Sequence, residues 1–399
     1  MKITSVLCLT AGLLLASAGT KSFAQDNLIN SLKHNKSDKS IKLFKFKDVI
    51  NLDHTSVKNQ GHSGTCWSYS TNSFLESEMA RSGRQPVDLA EIFTARNAYI
   101  EKGEQYVRMH GAVTLGDGGE CHDVINMYRK YGALPQSVYT GLNYGTKIND
   151  FSQMAALQEA FLKTVINTPA NKPLMPNWQK AYTGIIDAYL GTPPDTFTYE
   201  GKQYTPKSFA KEVVGLDADN YVEISSFMNY PMYKTFVLPV PDNWAMGSVY
   251  NVQFNDITDI IDTALSKGYT IAWATDVSEK SFSWKNGVAY VPEKDYDDMS
   301  DEEKKDMFMG PKPEKTITAE MRQKAFDDYQ TTDDHGMQIV GTAKDVNGKP
   351  YYIIKNSWGV KNDYDGYLYV TKDYLRYKTT AFLLNKNALT TDIRQKLGL

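Results

Sequence analysis

The sequence predicts an α+β fold, helical early in the chain and sheet-forming late in it, on three observations. A glycine-broken loop, residues 60–65, runs into a stretch of helical period that starts near Cys66. Two short β-favouring runs, 337–342 and 351–355, flank the turn sequence Asp345-Val346-Asn347-Gly348-Lys349-Pro350 and read as a hairpin. The chain has 399 residues, 41% of them hydrophobic, and no internal period. That length suits one large domain with insertions or two domains, and it sets repeat architectures aside.

Taken in order, the first residues stand apart from the fold. Lys2 precedes an apolar stretch from Val6 to Ala16, and Ser22-Phe23-Ala24 offers small residues for a cleavage site. Residues 1–24 therefore read as a signal peptide, too short in its apolar run to span a bilayer, and an exported protein is expected. No later stretch reaches the length of a membrane span. Removing residues 1–24 takes away Lys2 and Lys21 and no acid, so the formal charge moves from −3 to −5. A mildly acidic chain is a poor general nucleic-acid binder. The lysines at 33, 36, 39, 42, 45 and 47 crowd an arm, residues 25–50, that reads as solvated. Of three cysteines only Cys66 and Cys121 follow the cleavage site, enough for one disulfide if neither is needed as a free thiol.

The helical stretch begins at Cys66, with Trp67, Ser70, Phe74, Ser77 and Met79 on a partly buried face and Gly83 as its stop. Cys66 then stands at a helix N-terminus, where unpaired N–H groups and the dipole lower a thiol pKa and favour a reactive thiolate. Six residues earlier, Gln60 carries an amide that can donate to an oxyanion beside the Cys66 N–H. In the hairpin, His335 opens one strand and Asn356 follows the next, so antiparallel pairing brings them together and Asn356 can orient the imidazole. Trp358, two residues on, is placed to roof that pair against water. Farther along, Ser300-Asp301-Glu302-Glu303 is a capping-box pattern that predicts a short surface helix.

Gln60-Gly61-x-x-Gly64-Thr65-Cys66-Trp67 resembles the active-site sequence of the papain family. Asp334-His335-Gly336 and Asn356-Ser357-Trp358-Gly359 match the family pattern in the same order. Ser63 stands where the pattern has a disulfide cysteine, and Thr65 where it has Ser or Ala. The resemblance covers residues 54–140, 270–292 and 320–376. It implies a two-subdomain fold, a helical L part plus a β-barrel R part, with Cys66, His335, Asn356 and Gln60 as catalytic residues. Cys66 and His335 lie 269 residues apart, against about 130–150 in papain-like enzymes. A large helical insertion, about 141–267, is therefore expected within a peptidase domain spanning 51–399.

Gly118-Gly119 resembles the glycine pair that binds an extended substrate backbone in that family. Lys130-Tyr131-Gly132-Ala133-Leu134-Pro135 is similar to bleomycin hydrolases. The bleomycin hydrolase and aminopeptidase C branch implies a hexamer with inward-facing sites. It also implies a C-terminal tail, residues 385–399, that enters the cleft, where the Leu399 carboxylate would meet the substrate amine. Substrate contacts are thus expected at Gly118, Gly119, Trp358 and Leu399.

The expected activity is thiol-dependent peptide hydrolysis by a Cys-His-Asn triad, as an aminopeptidase on short peptides, with a thiolate–imidazolium pair and neither cofactor nor metal. An endopeptidase or dipeptidyl peptidase would use the same residues. A catalytically silent peptide-binding protein usually lacks the Cys, His or Asn, and none is lost here. A Cys-His acyltransferase or peptidoglycan hydrolase lacks the Gln60 and Asn-Ser-Trp-Gly features.

Overall fold

The computed structural model describes residues 44–168 and 172–399. The expected signal peptide and the lysines at 33, 36, 39 and 42 lie outside these residues. Eleven strands form one mixed sheet: β1 (Phe46–Asn51), β2 (Tyr221–Ser225), β3 (Thr235–Val237), β4 (Ser248–Asn251), β5 (Ile271–Thr275), β6 (Phe282–Ser283), β7 (Val288–Ala289), β8 (His335–Asp345), β9 (Pro350–Lys355), β10 (Tyr367–Thr371) and β11 (Thr379–Asn385). Their order is β3-β4-β2-β11-β5-β8-β9-β10-β7-β6. The first half of β8 pairs β5 and the second half pairs β1, with a register shift between Ile339 and Gly341 of β8 on its β9 side.

The predicted hairpin is β8–β9. Asp345 accepts backbone N–H bonds from Asn347 and Lys349 through Oδ1, 2.8 and 2.9 Å, which folds the turn that its sequence signals. The arm is not solvated to its end, because β1 belongs to the sheet. Among the described residues no pairing joins β3 to β6, so the sheet is open where a barrel was expected. The cause lies in the insertion, whose strand β2 pairs along β11 and carries β4 and β3 beyond it.

Helix α1, Cys66–Arg81, ends at Ser82 as Gly83 suggests. Its sequence marks one buried face, yet every residue from Cys66 to Met79 is buried. Helices α2 (Glu91–Arg108) and α3 (Cys121–Tyr131) pack on one side of it and β8 on the other. A polar helix can be enclosed only if its side chains find partners. Ser73 Oγ donates to Gln338 Oε1 at 2.6 Å, Gln338 Nε2 donates to Ser77 Oγ at 2.9 Å, and Asn385 Nδ2 donates to Glu78 Oε2 at 2.6 Å. Glu76 accepts from the Leu89 N–H at 2.8 Å. Glu76, Asp88 and Glu91 converge on one cation, the Lys58 ammonium, at 3.0, 2.5 and 2.5 Å.

Two apolar cores flank α1. The helical one gathers Trp67, Phe74, Leu75, Ile92, Phe93 and Val124; the sheet-side one gathers Trp273, Ile339, Tyr352, Ile354 and Phe382. The insertion divides between them. Its first half is helical, with α4 (Ser152–Ile166) and α5 (Trp178–Leu190) against α2. Its second half supplies β2, β3, β4 and α6 (Phe254–Ser266), so only part of it is the helical body expected. The capping box at Ser300 starts α7 (Asp301–Asp306), where Ser300 Oγ accepts from the Glu303 N–H and Glu303 Oε2 from the Ser300 N–H. Among the described residues no helix is long and apolar enough to cross a membrane.

Lys58→Met leaves Glu76 and Glu91 buried without their shared counter-ion. It should lower the unfolding free energy by about 3–5 kcal/mol in urea titration; a loss under about 1 kcal/mol would show that Lys58 does not hold α1 in place.

Candidate active site

Sheet register assembles the predicted pair. His335 opens β8 opposite Thr275, and Gln338 stands opposite Lys355, so Asn356, one residue past β9, comes alongside His335. His335 Nε2 and Asn356 Oδ1 are 2.7 Å apart. The Ser357 backbone N–H donates to the same Oδ1 at 2.7 Å, which identifies that atom as the amide oxygen. His335 Nε2 therefore carries the hydrogen and donates it, and Nδ1 is the nitrogen available to a thiol. The Trp358 indole lies against the imidazole with ring centroids 4.5 Å apart, and is itself packed on Phe282 and Trp284. Trp358 is buried there as the roof of the pair and does not line the crevice in front of Cys66.

Gln60 is fully buried. Its Nε2 donates to Ser63 O at 2.7 Å, and its Oε1 accepts from Ser357 Oγ at 2.7 Å, so one amide N–H is engaged and the amide plane is fixed. Ser63 Oγ donates to Gln60 O and is bonded to Thr65 Oγ1, so hydrogen bonds brace this loop at the position of the absent cysteine. Cys66 and Cys121 are both free thiols.

Cys66 shares a narrow crevice with Trp67, Gly118, Gly119, Cys121, Asp242, Ala274, Asp333, His335 and Gly336. The space is about 10 Å³, room for about one water. Gly336 is glycine for a steric reason, since a methyl group there would lie 2.9 Å from Ser70 Oγ and 3.2 Å from the Trp67 backbone. Its absence lets β8 lie against the first turn of α1, which brings His335 to Cys66.

The helix N-terminus does not decide the state of the thiol. Burial, with smaller contributions from Asp333 and Asp242 and against the backbone N–H groups of Gly336 and Trp67, pushes the Cys66 pKa up to about 12. Burial and the two acids therefore oppose, in the closed crevice, the thiolate of the expected thiolate–imidazolium pair. Dipole and N–H contributions are outweighed by desolvation among acids.

Those acids form a cluster that sequence reading did not single out. Burial, with Asp242 next, raises Asp333 to about 8, and burial with Asp333 holds Glu120 well above the carboxylate range. Glu120 and Asp333 share a hydrogen bond. Asp117 is raised by burial to about 6. The buried cation behind them is Lys102 of α2, whose ammonium donates to the carbonyls of Gly116, at 2.8 Å, and Gly118. Asp117 O also accepts from Trp67 Nε1, at 2.9 Å, and from Tyr99 OH, at 3.2 Å, so the 116–119 loop is fixed.

Gly118 and Gly119 do line the crevice, but their α-carbon faces are occupied. A methyl group on Gly118 would collide with the Asp242 carboxylate, and one on Gly119 would stand 3.0 Å from the Trp67 indole. Asp242 comes from the insertion, within a loop closed by Asn243: its Nδ2 donates to Leu238 O and Gly247 O, both at 2.9 Å, and its Oδ1 accepts from the Gly247 N–H at 2.7 Å. Nothing in Pro239-Val240-Pro241-Asp242-Asn243-Trp244 signals this beyond a turn. Asp333, adjacent to Asp334-His335, was within reach of sequence reading.

Leu399 is not brought to the crevice. Helix α8 (Thr391–Leu397) buries Ile393 and Leu397 in the sheet-side core, and Gly398 closes it in the left-handed conformation with the Leu399 N–H on Arg394 O at 2.9 Å. The expected tail is instead a docked helix, because its two apolar side chains are spaced to bury together.

The chain is similar to known peptidases in sequence and fold. The Peptidase C1-like family profile matches residues 89–398, which include His335 and Asn356. Aminopeptidase C of Lactobacillus delbrueckii subsp. lactis is 24% identical over 388 residues, 87% of this chain and 83% of that protein. Aminopeptidase C of Streptococcus thermophilus is 22% identical, covering 91% of this chain and 89% of its own. Mitochondrial cysteine proteinase 1 of Saccharomyces cerevisiae is 21% identical over 96% of this chain and 84% of that protein. The crystal structure of PepW from Lactobacillus rhamnosis superposes with a TM-score of 0.70 at 19% identity, over 95% of this chain and 92% of that one.

A pH effect follows from His122, whose Nδ1 stands 2.5 Å from Glu223 Oε2. Burial lowers its pKa, but Glu223 and Asp123 raise it more, to about 9. The folded value lies above the ordinary 6.5. The pair's stabilisation is therefore complete below about pH 6.5 and is lost as pH rises through about 9. Thermal melts should show the wild type losing stability across that window and His122→Gln losing less; equal losses would contradict the assignment.

Proposed function

The chain belongs to the Peptidase C1-like family and is a cysteine-type peptidase, and from that premise we propose that it acts as an aminopeptidase on short peptides. Cys66 attacks the carbonyl of the N-terminal residue while His335 Nδ1 takes the thiol proton. Transfer in step with attack suits a thiol that burial keeps protonated. The remaining Gln60 N–H and the Cys66 N–H hold the oxyanion. Imidazolium then protonates the leaving amine, and water, deprotonated by His335, releases the residue. Asn356 keeps the ring in the tautomer this cycle requires.

The observation that carries the reading is the closure of the crevice by the insertion. Asp242 lies on Gly118, where an extended substrate would continue past the residue under attack. A chain bound there is blocked by Asp242 from continuing past the residue under attack. Aminopeptidase C relatives of similar length support the same choice. The reading includes export, supported by the leader-like residues 1–24, and assembly as a homo-oligomer, supported by the resemblance to the bleomycin hydrolase branch.

Release of a fluorophore from aminoacyl amides with free and acetylated N-termini tests this. The wild type should favour the free amine by about 10²-fold or more. Cys66→Ala should abolish release, and Gln60→Ala should lower kcat by about 10²–10³-fold. Equal cleavage of both substrates, with internal cleavage of longer peptides, would make the protein an endopeptidase instead.

A further inference from the structure

Asp242 has a property that the crevice alone does not require. It is only 8% exposed, yet among the described residues no group donates a hydrogen bond to its carboxylate. Burial raises its pKa, and the cation that offsets this is Lys102, acting at a distance. Lys102 makes no ion pair with it and directs its N–H bonds to the Gly116 and Gly118 carbonyls. A buried carboxylate without a donor is costly, and the structure keeps it rigidly in place through the Asn243 hydrogen bonds. It faces the crevice that holds Cys66, on the side of Gly118.

We propose that Asp242 is the binding residue for the α-ammonium group of the substrate. This inference rests on the aminopeptidase reading and names the group that enforces it. An ammonium brings the donors and the charge that the carboxylate lacks, and the bond forms only when the N-terminus is free. An acetylated N-terminus presents a neutral amide with one N–H and a bulky carbonyl, and would leave the carboxylate buried and uncompensated. The internal acid thus does what the resemblance assigned to the Leu399 carboxylate, which lies in α8 away from the crevice.

The same contact acts on the nucleophile. Asp242 and Asp333 both oppose ionisation of Cys66. Farther back, Asp117, Glu120, Glu223 and Asp123 and the Lys102 ammonium of α2 act on these acids through space. A cation seated on Asp242 offsets one of the two acids that raise the thiol's pKa, so the substrate itself favours the proton transfer to His335.

The test compares full-length wild type with Asp242→Asn and Asp242→Glu on three amides: a free-amine leucyl amide, its N-acetyl counterpart, and an Nα-acetyl-lysyl amide. Asp242→Asn should raise KM for the free-amine substrate by about 30–100-fold, with a smaller change in kcat. It should leave kcat/KM for the acetylated leucyl substrate unchanged or higher. Asp242→Glu should retain part of the preference for the free amine. Alkylation of Cys66 by iodoacetamide at neutral pH should be as fast or faster in Asp242→Asn, which shows an intact site and a relieved thiol. If Asp242→Asn alkylates normally yet discriminates free from acetylated amines as strongly as wild type, the assignment is wrong while the aminopeptidase reading stands. Preferential binding of the Nα-acetyl-lysyl amide that Asp242→Asn abolishes would overturn it in favour of side-chain recognition. Failure of the wild type to discriminate would remove both.

Discussion

Lys58, Glu76 and Glu91 form a buried charge cluster on which the placement of Cys66 depends. Helix α1 is enclosed along its length although it carries Ser70, Thr71, Asn72, Ser73, Glu76, Ser77 and Glu78. Desolvating that many polar groups is unfavourable unless each finds a partner. The partners come from the segment before the helix, from α2, from β8 and from β11, so four parts of the chain are pinned to one rod. Lys355 joins the set through Ser73 and Thr55, at 2.6 and 3.0 Å, and burial lowers its pKa to about 8. Since Lys355 ends β9 and Asn356 follows it, the network that seats α1 also seats the orienter of His335. Cys66 and His335 are thus positioned by one polar framework, with the two apolar cores to either side.

The crevice is governed by a different balance. A helix N-terminus favours an anion, but here it opens beside Asp242 and Asp333 with water largely excluded. Low local dielectric strengthens repulsion between a thiolate and those carboxylates. Burial and these acids accordingly raise the pKa of the Cys66 thiol. In the aminopeptidase proposal, the closed crevice and the buried Asp242 carboxylate select the same ligand, an unblocked peptide end.

The catalytic pattern was legible because it is local. Gln60, Cys66, His335 and Asn356 sit in short motifs whose turn, helix-start and hairpin signals survive in sequence, and β8–β9 pairing follows from the turn at Asp345. Burial of α1 was less legible, since its polar residues look like a solvated face until β8 covers them. The open sheet was not legible: β2 and β4 are short, and only the pairing of β2 with β11, with β4 beyond it, turns part of the insertion into sheet. Asp242 was hidden for the same reason, a turn residue over a hundred positions from Gly118. Leu399 was misplaced because the tail was read by resemblance, whereas the apolar pair Ile393 and Leu397 already marked a docking helix.

The most direct measurement is mass-spectrometric mapping of the adduct formed with an aminoacyl chloromethyl ketone and with its N-acetyl counterpart, at equal concentration and neutral pH. The account predicts rapid, stoichiometric alkylation of Cys66 by the free-amine reagent alone, with Cys121 unmodified. Labelling of Cys66 at equal rates by both reagents, or labelling elsewhere, would contradict a cysteine aminopeptidase whose cleft closes one residue beyond the nucleophile.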